Sequence, residues 1–154
     1  MANSEFDELV SLTISHIGIS NYSSGKIRKY LLNKGYSSDL IEDVIDSLIK
    51  RGYIDDRKAS RSVLLLRTGK KRESRSLTYQ RLIAAGISEN VASEVIEDLP
   101  DDKTMCKELL ESSLSQDYDP FDDSMRNRAL KLAISRGFTF ECAQNVLSNL
   151  EFNS

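Results

Sequence analysis

The sequence predicts an all-α protein made of three tandem three-helix repeats that form an elongated, curved helical body. Three observations predict it. Gly35, Gly86 and Gly137 are spaced 51 residues apart, and their surroundings repeat with them. Each is followed by a large apolar residue (Tyr36, Ile87, Phe138) and then by a good helix N-cap (Ser37, Ser88, Thr139). Apolar residues recur at helical spacing along all 154 residues, and only two prolines interrupt them.

The register extends in both directions. Downstream it holds at Val44/Val95/Val146, Ile45/Ile96/Leu147 and Leu48/Leu99/Leu150, and upstream at Leu32/Ile83/Ile134 and Leu12/Val63/Leu114. These aligned positions are expected to be core, Leu32, Ile83 and Ile134 among them, with the three glycines closing helices. The repeats are placed at residues 1–52, 53–100 and 101–154.

In the first repeat, Phe6, Leu9, Val10, Leu12, Thr13 and Ile17 give one apolar helical face that ends near Gly18. A loop with Asn21, Ser23 and Ser24 follows, and either serine can cap a second helix bearing Ile27, Tyr30 and Leu31. Gly35 suits the left-handed position after a helix, where a β-carbon costs about 1 kcal/mol or more. Tyr36 and Ser37 then staple and cap a third helix with Leu40, Ile41, Val44, Ile45 and Leu48, ending near Gly52.

The second repeat opens with Asp55 or Asp56 as cap and a helix with Val63 and Leu66 inside, closed by Gly69. Its next helix spans about Glu73 to Ala85. The third carries Val91, Val95, Ile96 and Leu99 and stops at Pro100. The last repeat starts at Asp101-Asp102 and turns Met105, Leu109, Leu110 and Leu114 inward. A loop follows near Gln116 to Pro120, a second helix ends at Arg136-Gly137, and the final helix bears Cys142, Val146 and Leu150. Nine helices and no strand are expected.

Composition narrows the function classes. No apolar run approaches the roughly 20 residues that cross a bilayer. The acidic start, Met1 to Glu8, lacks the basic-then-apolar pattern of a signal peptide, so a cytoplasmic location is expected. Cys106 and Cys142 form no C-x-x-C pair and read as reduced thiols. His16 is the only histidine, which argues against histidine-rich metal sites and catalytic triads, and it is expected to pack or face solvent. Gly69-Lys70-Lys71 lacks the first glycine and the Lys-Ser/Thr ending of a phosphate loop. The acid pairs Asp55-Asp56, Asp101-Asp102 and Asp122-Asp123 lie at helix starts, where they favour the positive end of the dipole. No enzyme activity, cofactor or metal is expected.

Charge is the better functional signal. The net charge is −3, but Arg57 to Arg81 holds nine Lys/Arg against the single acid Glu73, a balance of +8. Glu89 to Asp123 holds twelve Asp/Glu and two lysines, a balance of −10. Screening acts over about 8 Å at physiological salt, so such patches need not cancel. Arg57, Lys58, Arg61, Arg67, Lys70, Lys71, Arg72, Arg75 and Arg81 form the candidate surface for nucleic acid or for an acidic protein groove. Lys70, Lys71 and Arg72 are all expected at an exposed loop tip, and Tyr79 suits either a base stack or the core.

The run Tyr30-Leu31-Leu32-Asn33-Lys34-Gly35-Tyr36, then Ile41, Val44 and Leu48, then Arg51-Gly52-Tyr53-Ile54-Asp55-Asp56, resembles the central signature of RecX regulatory proteins. Leu82-Ile83-Ala84-Ala85-Gly86-Ile87 and Ser135-Arg136-Gly137-Phe138 resemble that family's later turns, and Tyr22-Ser23-Ser24 with Ile27 its first. The resemblance covers about residues 9 to 150. It implies three tandem three-helix repeats and a non-catalytic regulator that binds the RecA–DNA filament and restrains its recombinase, ATPase and coprotease activities. It further implies that the middle-repeat basic residues face the filament and that DNA, single-stranded or duplex, is met weakly or through it. A monomer is expected.

Two departures stand out. Arg57-Lys58-Ala59-Ser60 replaces the family's usual acidic-basic pair, aromatic and alanine, and Asp117, Asp119, Asp122 and Asp123 stand where the family is more often basic. The competing reading is a small helical DNA-binding or scaffold protein without a RecA role. Glu42, Asp43, Glu94 and Glu97, on the helices after the glycine turns, suit a DNA major groove poorly.

Overall fold

The helix signals resolve into nine α-helices and no strand among the described residues. The structure, a computed structural model, describes residues 3–20 and 22–150. The helices are α1 (Asn3–Ile17), α2 (Ser24–Asn33), α3 (Ser38–Lys50), α4 (Asp56–Leu65), α5 (Arg75–Ala84), α6 (Glu89–Asp98), α7 (Asp102–Ser113), α8 (Asp123–Ser135) and α9 (Phe140–Ser148), with a 3-10 turn at Gly69–Lys71. Asn21 of the first loop, and the chain ends that bound the acidic start and the outer repeats, lie outside the described residues.

The glycine corner recurs atom by atom. Gly35, Gly86 and Gly137 take φ of 90°, 87° and 90°. The following amide bonds back over the last turn in each case: Tyr36 N–H to Leu31 O (3.4 Å), Ile87 to Leu82 O (3.0 Å), Phe138 to Ala133 O (3.1 Å). Ser37, Ser88 and Thr139 side chains then accept from the amides of Leu40, Val91 and Cys142. Carbonyls orphaned at one helix end and amides orphaned at the next are thus satisfied within a few residues.

Contacts group the chain into two compact units: Met1–Ser62 with Leu82–Ser93, and Val63–Arg81 with Glu94–Ser154. In the first unit, α1 and α2 both pack on α3. Leu9, Val10 and Ile17 meet Ile27, Leu31, Ile41, Val44, Ile45 and Leu48, each large side chain contributing about 1.5–3 kcal/mol by leaving water. The start of α2 also docks on the Gly86 corner: Ser23 O–H donates to Ala85 O (2.7 Å) and Gly25 N–H to Gly86 O (2.8 Å). Asp55 caps α4 through the Lys58 amide. Buried Asp56 reaches further, accepting from Ser24 N–H (2.7 Å), Ser24 O–H (2.6 Å) and Ser88 N–H (2.9 Å). Those donors come from the starts of two helices, where a carboxylate is favoured.

The second unit repeats the device. Ser74 N–H donates to Arg136 O (2.9 Å) beside Gly137, Asp101 caps α7 at the Thr104 amide, and Asp102 accepts from Arg75 N–H (2.9 Å). Its core joins α7, α8 and α9 through Met105, Cys106, Leu109, Leu110, Ala129, Ala133, Phe138, Ala143, Val146 and Leu147. Burial pushes the Cys106 thiol up to about 12, with Cys142 beside it.

Several expected core positions face water. Leu32, Ile83 and Ile134 are 47, 38 and 47% exposed. The buried residues are one place earlier, Leu31, Leu82 and Ala133, each at 0%. Adjacent helical positions are about 100° apart, so a stripe that buries one exposes its neighbour. Leu12 is likewise outside, because Thr13 turns in with its hydroxyl bonded to Leu9 O (2.7 Å). Leu66 is exposed because α4 ends at Leu65, before Gly69, which opens the 3-10 turn instead of closing the helix. His16 packs, its ring stacked on Tyr30 at 3.6 Å and near Tyr22 at 5.2 Å.

Candidate functional site

The basic residues divide between the units. Arg57, Lys58 and Arg61 are exposed on the first turns of α4, in the first unit. The other six lie in the second, and most of their charge is committed there.

Glu73, the one acid of the segment, is buried, with 3% of its side chain exposed. Arg81 Nε donates to both of its oxygens (2.7 and 2.9 Å), and Arg67 Nε lies 3.2 Å away. Removing one partner from a buried charge is costly, so this clasp holds the start of α5. Arg75 turns its guanidinium to the carbonyls of Leu99 and of Pro100 (2.9 Å), at the end of α6 where a cation complements the dipole.

The 3-10 turn is pinned from several sides. Glu108 on α7 accepts from Gly69 N–H (2.9 Å) and pairs with Arg72 Nε (3.0 Å). Arg72 also donates to Arg67 O (3.3 Å), which closes the 67–72 loop, and Arg136 donates to Lys70 O (2.7 Å). Lys70 and Lys71 stand on this turn, exposed and without an ion pair among the described residues. Arg72, expected beside them at the tip, has only 14% of its side chain exposed, because its charge is spent on Glu108. Tyr79 is half-buried.

The arrangement presents cations on a held backbone. It brings no nucleophile and general base together, and no group of three metal-binding side chains occurs among the described residues. No helix of the described residues is long and apolar enough to cross a membrane.

Comparison with known proteins agrees with the sequence resemblance. No model of a protein family matches the chain. It is 27% identical over 139 residues to the regulatory protein RecX of Pelodictyon phaeoclathratiforme, covering 90% of this chain and 86% of that protein. The RecX of Prosthecochloris aestuarii is 26% identical across 99% of this chain and 100% of its own length. The crystal structure of RecX from Lactobacillus salivarius superposes with a TM-score of 0.72 over 97% of this chain and 98% of that one, at 16% identity. The chain is similar to RecX regulatory proteins over nearly its whole length and shares the fold of one of them.

Of the nine candidate basic residues, Lys58, Arg61, Lys70 and Lys71 are exposed and make no ion pair among the described residues. Sequence reasoning passed over Phe121, 91% exposed in the loop before α8. The available signal was an aromatic set among four aspartates beside Pro120.

Proposed function

We propose that this chain is a non-catalytic regulator that binds the RecA–DNA filament and inhibits RecA recombinase, ATPase and coprotease activity. Similarity over most of the chain to proteins named as regulatory proteins supports the class. The observation that carries the interface is the pinned turn: Lys70 and Lys71 are exposed and unpaired while the arginines around them hold it in place. Ammonium groups set on a fixed backbone bind phosphate at little cost in ordering. Under this reading the protein acts as a cytoplasmic monomer with no cofactor, and its three copies, residues 1–52, 53–100 and 101–154, share a fold but not a surface. On the helix after Gly35, exposed Asp43 and Glu42, which pairs with Arg28 of α2, disfavour major-groove insertion and the plain DNA-binding alternative.

The test is the rate of RecA's DNA-dependent ATP hydrolysis with substoichiometric amounts of this chain. The natural sequence is expected to slow it. Lys70→Glu with Lys71→Glu is expected to raise the concentration needed by about tenfold or more, since each neutralised phosphate contributes to affinity. The helical circular-dichroism signal is expected to stay unchanged, because neither side chain holds the fold. Arg72 is left in place because it anchors the turn. Undiminished inhibition by the double variant excludes the turn as the interface.

A further inference from the structure

The loop between α7 and α8 carries a feature that phosphate binding does not use. Phe121 is 91% exposed, yet the backbone that carries it is ordered by its own bonds. Its N–H donates to Asp119 Oδ1 (2.9 Å), and Asp122 N–H donates to Asp119 O (3.1 Å). Asp122 caps α8 at the Ser124 and Met125 amides, while Tyr118 is buried in the core of the same unit. The loop is therefore fixed at both ends with its aromatic turned to water.

A single exposed apolar side chain needs no partner, but an aromatic one on a backbone held this way has the form of an anchor, and such anchors dominate protein interfaces. A held loop loses little freedom on binding. The surrounding charge selects the partner. Asp117, Asp119 and Asp123 are exposed in the run that holds Phe121, and of these Asp123 pairs with Arg126 (2.5 Å). Carboxylates here repel phosphate, so a nucleic acid is the wrong occupant. They complement an apolar pocket rimmed by lysine or arginine.

We propose that Phe121 is an anchor that inserts into an apolar, basic-rimmed pocket on the protein subunits of the filament, while Lys70 and Lys71 meet its DNA. This rests on the regulatory reading above. It divides recognition into a protein contact and a phosphate contact made by different loops of one unit.

The experiment measures binding of the full chain to a preassembled RecA–DNA filament and, separately, to the same DNA bare. Phe121→Ser is expected to weaken filament binding by about tenfold or more, about 1.4 kcal/mol at 25 °C, and to leave bare-DNA binding within about twofold. Phe121→Trp is expected to retain filament binding, which a role in folding alone does not explain. Lys70→Glu with Lys71→Glu is expected to weaken both. Filament binding by Phe121→Ser equal to that of the natural chain overturns the anchor and spares the regulatory reading. Equal losses on filament and bare DNA overturn it too, because the loop then contacts nucleic acid. Failure of the natural chain to bind the filament removes both.

Discussion

Gly86→Ala would place a β-carbon 2.3 Å from Ser23 Oγ and 2.9 Å from the Lys26 backbone nitrogen, and Gly137→Ala one 2.4 Å from Ser74 Oγ and 2.9 Å from Leu77 Cβ. At Gly35 nothing lies within 4 Å. All three positions need the left-handed backbone, but only the second and third also receive the start of another helix. Gly35→Ala is therefore expected to cost about 1 kcal/mol from conformation alone. Gly86→Ala and Gly137→Ala are expected to cost about 2–4 kcal/mol, because crowding adds to it. Urea unfolding of the three variants checks this, and equal losses would refute the docking role. Gly25 is tighter still, since an added β-carbon would meet the Gly86 carbonyl oxygen at 2.6 Å, backbone against backbone. No period marks it: the residue 51 places on is Ser76.

Between elements, acids do more than cap their own helices. Asp55, Asp101 and Asp122 cap, as the sequence implied, but their neighbours Asp56 and Asp102 reach to the start of a different helix. Glu108 does the same for the 3-10 turn, and the turn's rigidity is what recommends its two lysines as the proposed site. Glu108→Ala removes the acceptor for Gly69 N–H and the partner of Arg72. Global stability is expected to fall by only about 1 kcal/mol, since the carboxylate is partly exposed and screened. The Gly69 amide is expected to exchange with solvent markedly faster, by hydrogen-exchange measurement. Unchanged exchange there would mean that the 67–72 closure holds the turn without α7.

For the molecule as a whole, formal charge overstates what a partner meets. The +8 of residues 57–81 includes arginines bound to Glu73, Glu108 and helix-end carbonyls, so the lysines and Arg61 carry most of the available field. Neutralising Lys58, Arg61, Lys70 and Lys71 together is expected to reduce the slope of log affinity against log salt by about 2–4, for filament or DNA. Arg81→Gln alone is expected to change that slope little, because this cation answers Glu73. A slope that falls equally in both variants would show that paired arginines still reach phosphate.

Much of this was legible without coordinates. The 51-residue period, the glycine corners, their serine and threonine caps, and nine helices follow from local rules: helix propensity, capping and left-handed glycine act over a few residues and leave their mark in the chain. The family likeness rests on the same marks. Tertiary structure decided which of two adjacent apolar residues is inside. Leu31 and Leu32 are equally apolar, and Ala133 hid the true register behind Ile134. It also decided which cations are spent, because Glu73 and Glu108 find their arginines across 6 to 36 residues of chain. Burial and ion pairing depend on what packs against a side chain, and local sequence carries no record of that. The repeat was therefore readable from the sequence, whereas the surface on which function is proposed needed the fold.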